Sequence, residues 1–521
     1  MTTRNELPKN RFETFVKIFF LMMSFYILFS MLVLDNYLHY YTEKPEFTSN
    51  ILLLIFGVLA TAIFGIFIKK TKILQVVHVN NKCFSFMVAI IIFLVFIIQL
   101  FIVYNIFFQS GWDVGHLALA TTNRLNGIPI GDSSYFKIYP NNLFLTFMFS
   151  VIAKCGEYLG LTMSASLILI GLVLVDTAGV ILCFSVKEMT KNKKLSLGAL
   201  IIYIFFICFS PWIVIPYSET YAILFPILIF YLYQIKYKFK HSSIIWFFIM
   251  LLTGIGTMIK PTVSIVFIAI ILHSIFKQTK STIKVSYKNK HLYCSAFFIV
   301  LAFFGATGLK QTACNYMGFT QDKEATFTAP HFFMMGQNDE KTGIFLNDDV
   351  LFSLGYDSAK ERNAANIKVG LERISKRGFF GNIQFFTQKL LCNYSDGTFS
   401  WSGEGQFYEQ TYPDVNDTTS PFLKSIFYSN GDNYHFFKDF EQTIWIMLLT
   451  SMIGIVFCKK SSTLTVGMLI IIGITAFTLL FEARTRYLYL YAPIYILLGV
   501  NGAYALIVTI KKKLKNSKFA F

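Results

Sequence analysis

The stretch FSFMVAIIIFLVFIIQLFIVYNIF, residues 84–107, carries no charged side chain. A helix of that length crosses the roughly 30 Å hydrocarbon core of a bilayer. Close behind it comes GWDVGHLALATTNRLNGIPIGDSSYFKIYPNN, residues 111–142, the first sizeable polar stretch of the chain. It holds Asp113, Asp132, His116, Arg124, Lys137 and several tyrosines. Ionisable groups gathered at the mouth of an apolar bundle are where chemistry is to be sought.

The rest of the chain has the same apolar character. Its 521 residues are 55% hydrophobic and 14% charged, with a mean hydropathy of +0.56. A soluble protein of this size could not cover so much apolar surface, so lipid is the solvent for most of it. Runs of helix length, rather than alternating ten-residue segments, exclude an outer-membrane barrel. Such runs fall at 14–34, 50–68, 84–107, 141–158, 164–186, 196–214, 217–235, 244–258, 261–276, 292–309, 443–458, 464–481 and 487–509. The first is too long for a signal-peptide core and reads as an uncleaved span. The fold expected is an all-α polytopic membrane protein with about 12 transmembrane helices, a juxtamembrane helix and a small extracellular α or α+β domain.

Charge sets the topology. Residues 310–442 carry 12 basic and 17 acidic side chains, net −5, so the remainder of a chain of net charge +17 carries +22. The N-terminus, 69–72, 187–194, 236–240, 277–290, 459–460 and the tail are basic and read as cytoplasmic. Nothing in this split points to nucleic acid. Counting spans from either end leaves 141–158 unable to cross, so it reads as the juxtamembrane helix, with both termini cytoplasmic. Three regions result: a membrane bundle at 1–309 with an external catalytic loop at 108–142, an extracellular domain at 310–442, and closing membrane helices with a basic tail at 443–521. Within the domain, 358–377 has helical spacing, with Ser358 placed as N-cap and Gly378 as C-cap. A second helix is expected at 383–391, and a loop or short strand at 392–412. The scattered cysteines form no metal-thiolate pattern, although Cys314 and Cys392 could pair outside the membrane.

Asp113 is the first candidate catalytic residue, because a hydrated carboxylate can take a proton from an acceptor hydroxyl. It is equally placed to cap a helix at 114–125. Asp132 and His116 are the other two candidates, with a turn position and a structural histidine as their bland readings. Lys260, Arg484 and Arg486 sit at turns on the external side, where cations break the positive-inside bias. Guanidinium groups match phosphate geometry, and snorkelling or pairing with Glu482 is the alternative. Glu219 lies at an external span end, where it could cap a helix. Asp176 falls in the middle of a run and needs a partner. The aromatic residues read as lipid- and interface-facing packing.

With these residues in hand, the chain resembles the C-type glycosyltransferase superfamily, whose protein mannosyltransferases and aminoarabinose transferases use polyprenyl-phosphate sugars. The similar features are Gly111-Trp112-Asp113, the YFKIYPNN start at Tyr135 to Asn142, Lys260-Pro261, a late external domain, and Arg486-Tyr487 before Pro493. Met334-Met335-Gly336 to Gly343 looks like a motif of Gram-positive members. An Asp-Glu pair is common in the family's loop, whereas Val114 follows Asp113 here. The resemblance implies a polyprenyl-phosphate sugar donor held in membrane lipid and a cell-envelope acceptor. It implies Asp113 as base and inversion at the sugar. Lys137, Tyr139, Glu219, Lys260, Arg484, Arg486 and Tyr487 would hold lipid phosphate or sugar. It identifies no certain cofactor and leaves a divalent cation open. A lipid-linked oligosaccharide polymerase or ligase would use a similar site; a transporter or flippase would line a midplane path instead.

Overall fold

In the computed structural model every regular element among the described residues is helical, with no strand. The structure describes residues 11–34, 48–71, 80–131, 133–239, 242–277, 290–405 and 419–517. Asp132, Lys72, residues 278–289 of the basic loop at 277–290, and residues 406–412 of the aromatic stretch lie outside them.

The chain opens with α1 (Arg11–Val33), α2 (Asn50–Thr71) and α3 (Asn81–Ile106). The polar loop forms α4 (Trp112–Leu125), the short α5 (Ser134–Ile138) and a 3-10 turn at Pro140–Asn142, then enters α6 (Leu143–Tyr158). Next come α7 (Met163–Thr190), α8 (Lys193–Tyr203), α9 (Ser218–Ala222), α10 (Leu224–Ile235), α11 (Ser242–Ile259), α12 (Ser264–Lys277) and α13 (Lys290–Met317). A segment with α14 (Ala329–Met335), α15 (Asn347–Leu354), α16 (Ala359–Tyr394) and α17 (Pro421–Phe427) precedes the closing α18 (Tyr434–Ile453), α19 (Ser462–Leu480), α20 (Arg486–Tyr489) and α21 (Ala492–Ser517).

Among the described residues eight helical stretches are long and apolar enough to cross a membrane: Arg11–Val33, Asn81–Ile106, Met163–Thr190, Ser218–Lys238, Ser242–Ile259, Tyr434–Phe457, Ser462–Leu480 and Ala492–Leu514. Asn50–Ile63 and Pro261–Phe276 are shorter apolar helices. The run expected at 196–214 is broken into α8, a π-helical turn at Ile204–Cys208 and a 3-10 turn at Pro211–Val214. Pro211, which has no N–H to give, restarts the chain as a new turn.

Contacts sort the helix ends into two faces. At one, Lys17 Nζ donates to the carbonyls of Val456 and Cys458 (both 2.9 Å), and Glu188 pairs with Lys191 and Lys238. At the other, Thr48 Oγ1 donates to Asp439 Oδ2 (2.6 Å) and Asn50 Nδ2 to the Met31 carbonyl (2.7 Å). The polar loop lies at this second face. α6 starts beside it and ends in a turn where Gly160 has φ +73°, a left-handed conformation suited to glycine. Ser166, at the start of α7, then packs against Gly156 of α6.

One apolar cluster runs through the bundle and takes in Leu390, Leu391, Tyr394, Phe399, Trp401, Phe427 and Phe437. The stretch 310–442 is therefore divided. An outer half comprises α14, α15 and α16 up to Arg377; a root half, 379–405, starts exposed at Phe379 and Phe380 and is sunk into the bundle from Phe385 on. Gly378 (φ +61°) kinks α16, and its second limb covers the helix expected at 383–391. Ser358 takes the N-cap position without a side-chain bond. Three buried indoles fasten the root: Trp212 Nε1 donates to the Thr398 carbonyl (2.9 Å), Trp401 to Phe427 (2.7 Å) and Trp445 to Tyr394 (2.8 Å). Buried tryptophan N–H groups need such partners. Much of the aromatic content is thus core rather than lipid-facing. Cys314 and Cys392 form no disulfide with each other.

Candidate active site

α4 begins at Trp112, whose φ of +41° is rare for a side-chain-bearing residue, and Gly111 occupies the N-cap. Asp113 is therefore not the cap. It sits in the first turn, where the positive end of the helix favours a carboxylate. Tyr217 O–H donates to Asp113 Oδ2 at 2.9 Å. Asn142 Nδ2 donates to the Tyr135 hydroxyl at 2.6 Å, joining the end of the YFKIYPNN stretch to its start. Burial first, then the charge of Asp113, pushes the phenols of Tyr135 and Tyr217 up, so both remain donors. His116 is exposed and stacks on Tyr135 with ring centres 4.4 Å apart.

Beside this loop lies a buried web of charge. Glu219 is 1% exposed; its Oε2 accepts from Ser218 Oγ (2.8 Å), and its Oε1 meets Lys260 Nζ and Arg486 Nε (3.3 Å). Arg486 Nε also lies 3.0 Å from Glu404 Oε2, and Arg484 Nη1 lies 3.3 Å from the same oxygen. Arg484 Nε and Nη2 reach Glu482 Oε1 (both 2.9 Å), and Tyr487 O–H donates to Glu482 Oε2 (3.2 Å). Lys260 Nζ lies 4.3 Å from the centre of the Tyr487 ring. The Arg486 guanidinium carbon lies 4.3 Å from the Trp112 ring centre and 5.3 Å from that of Tyr217. Burial pulls the Arg486 pKa down, but Glu404 and Glu219 more than reverse this, so the guanidinium stays charged. Burial lowers Lys260, and Glu219 opposes the fall.

Four carboxylates (Asp113, Glu219, Glu404, Glu482) thus face three cations (Lys260, Arg484, Arg486). An almost balanced web does not attract an anion by net charge. Its capacity to bind one lies in orientation. The nearest approach of Arg486 to Glu219 and Glu404 is through Nε, in ion-pair contacts without hydrogen-bond geometry, and no described residue hydrogen-bonds Nη1 or Nη2. Those two nitrogens form a planar fork of the kind that grips phosphate or carboxylate bidentately.

Of the residues singled out from sequence, Asp113, Glu219, Lys260, Arg484, Arg486 and Tyr487 form one connected group. Tyr139 borders it: burial, then Glu482 and Asp113, raise its pKa. Lys137 serves the loop's footing, since its carbonyl accepts from Thr326 Oγ1 (3.1 Å). Sequence reasoning missed Trp112, Tyr217 and Glu404. Glu404 is 2% exposed and is presented by the turn Trp401–Gly405. That turn follows Phe399 and Ser400, whose φ values of +56° and +59° are held by Asp396 accepting from the N–H groups of Thr398 (2.8 Å) and Ser400 (2.9 Å). Asp176 stands apart from this web, with Cys208 Sγ 3.6 Å from its Oδ1. Among the described residues no group of three His, Cys, Asp or Glu is placed to hold a metal ion.

A family model described as "conserved hypothetical integral membrane protein" matches residues 8–504, and the chain belongs to that family. No curated protein and no solved structure matches it.

Proposed function

We propose that this member of an integral membrane family is a glycosyltransferase, moving a sugar from a polyprenyl-phosphate donor to an acceptor hydroxyl at the outer face of the cell membrane, with inversion. The observation that carries the reading is a shared tyrosine. Tyr217 donates to Asp113 through its hydroxyl (2.9 Å), and its ring centre lies 5.3 Å from the Arg486 guanidinium. A candidate base and a candidate anion fork therefore belong to one site.

In this reading Asp113 takes the proton of the acceptor hydroxyl as the oxygen attacks the anomeric carbon. The bond from that carbon to the phosphate oxygen breaks, and the electron pair leaves with the lipid phosphate. The phosphate gains charge as it departs, so a cation there stabilises the transition state more than the bound donor. Arg486 is the group placed for this, with Arg484 at the rim. Lys260 acts one step removed, by holding Glu219 under Arg486. Tyr217 and Tyr135 steady the carboxylate and, being protonated, do not compete as bases.

The accompanying topology is twelve crossings, with α6 at the outer interface and the basic loops and both termini in the cytoplasm. The return of α6 to the face it started from, and the sorting of helix ends into two faces, support it. So does the charge of the short loops. Residues 310–442 then lie on the outer side, with 379–405 inserted among the helices.

The test is sugar transfer from a synthetic polyprenyl-phosphate hexose by the purified chain. Asp113→Asn should lower kcat about 100- to 10,000-fold, the usual range for losing a general base. Wild-type transfer with full activity in that variant would remove Asp113 as base.

A further inference from the structure

The Met334-Met335-Gly336 to Gly343 motif has no part in the reaction above, yet it lies directly against the turn that carries the two arginines. Ala483 N–H donates to the Gly343 carbonyl (2.7 Å), and Gln337 Nε2 donates to the Leu480 carbonyl (3.1 Å). A β-carbon at Gly336 would collide with the Phe481 backbone, and one at Gly343 would meet the Gly336 carbonyl and the end of Lys389. Only glycine permits this approach at both positions.

Lys389, on the second limb of α16, is completely buried, and its ammonium meets three backbone carbonyls. They are those of Gly336, Leu479 (2.9 Å) and Phe481 (2.6 Å). The last two belong to the end of α19, where helical carbonyls lack partners of their own and a cation is favoured. A three-donor ammonium is the side-chain group that can satisfy three carbonyls from two segments at once. One turn along α16, Asn393 Oδ1 accepts from the Arg484 N–H (3.0 Å), and the Cys392 carbonyl accepts from Thr485 Oγ1 (2.7 Å). The turn at 482–486 is thus held by α16 on one side and the glycine loop on the other.

We propose that Lys389 is a positioning residue that sets the arginine turn against the Gly336–Gly343 loop and so fixes where Arg484 and Arg486 meet the donor phosphate. This rests on the glycosyltransferase reading for its consequence, though not for its geometry. Loss of Lys389 frees the turn rather than the base, so it acts on donor binding more than on the chemical step.

The experiment uses the full chain in detergent or nanodiscs, with Lys389→Met and, as a variant that keeps the lysine but forces the glycine loop off the turn, Gly343→Ala. Amide exchange in the peptide covering 479–486 should accelerate about tenfold in Lys389→Met, while that covering 112–125 stays at the wild-type rate. With polyprenyl-phosphate hexose, KM should rise about tenfold with kcat nearly unchanged. Unchanged exchange at 479–486, or equal acceleration throughout the bundle, overturns the proposal. If Lys389→Met does not accumulate as folded protein, Gly343→Ala decides by the same two readouts. A wild-type chain that transfers no sugar sinks the functional reading, while the exchange pattern still decides the role of Lys389.

Discussion

The outer and root halves of 310–442 are neighbours in sequence and opposites in how they are held. The outer half is fastened by arginines, some buried and some partly exposed. Arg373 grips Asp349 through both terminal nitrogens (2.6 and 3.0 Å), Arg377 pairs with Asp339 (2.9 Å), and Arg362 donates to the Thr326 carbonyl (2.9 Å). The root half is fastened by indoles and by a carboxylate, Glu404, that is buried against Arg484 and Arg486. A segment expected to be one body therefore divides its work. Its outer half braces the arginine turn through the glycine loop, and its root half forms a wall of the site.

The largest effect that separates the two halves is expected at Glu404. Breaking a buried ion pair from one side costs about 3–5 kcal/mol because the remaining charge is stranded. Glu404→Gln keeps the shape and leaves Arg484 and Arg486 with only Glu482 and Glu219. Thermal unfolding should shift down by several degrees, and sugar transfer should fall at least about 100-fold, as for loss of a charge-organising group. Near-normal transfer in a folded Glu404→Gln protein would return the root half to a purely structural role.

Why Glu404 escaped the sequence while Asp113 did not follows from background. Asp113, Lys260, Arg484 and Arg486 are charges beside apolar runs, and the basic-loop pattern alone leads to the expectation that they share one side; the structure brings them together. Glu404 is one of 17 acids in 310–442, where a carboxylate is no anomaly. Its burial comes from Trp401 and Trp212 bonding to carbonyls far away in the chain, and no local period encodes that. The interfacial place proposed for α6 rests on the opposite kind of signal: span counting is a global constraint that one sequence already contains. The kink at Gly378 was visible as a glycine after a basic turn, and a helix was expected again at 383–391, but not that it would resume directly at the kink and run on to Tyr394. Tyr217 was hidden among many aromatics, since nothing in its neighbourhood marks it as a partner of a residue 104 positions earlier.

An intermediate effect should appear in acid, in the outer half. His331 is fully buried, its Nδ1 lies 2.7 Å from Ser353 Oγ, and burial, reinforced by Arg362, pushes its pKa down to about 4. The unfolded imidazole titrates near 6.5, so between those values the unfolded state binds more protons. Stability is then fully present above pH 6.5, is lost as pH falls, and levels off below about 4. The shift corresponds to about 3 kcal/mol at most. Amide exchange in peptides covering 327–366 should accelerate between pH 6.5 and 4.5 while those covering 388–404 do not. His331→Phe should remove the pH-dependent part. If both halves loosen together, they behave as one unit and the division between them fails.

The smallest effect sharpens the comparison from the other side. Arg377 pairs with Asp339, whose side chain is 58% exposed, but the same guanidinium also donates to the Gln337 carbonyl and to Gln337 Oε1 (both 2.9 Å). Asp339→Ala therefore removes a screened charge and leaves the contacts that position the glycine loop. Exposed ion pairs contribute about 0–1 kcal/mol, so unfolding temperature and transfer kinetics should both stay close to wild type. A loss of activity approaching that of Glu404→Gln would mean that the loop is held from its solvent side. The route from the outer half to the arginine turn would then run through Asp339 rather than through Lys389.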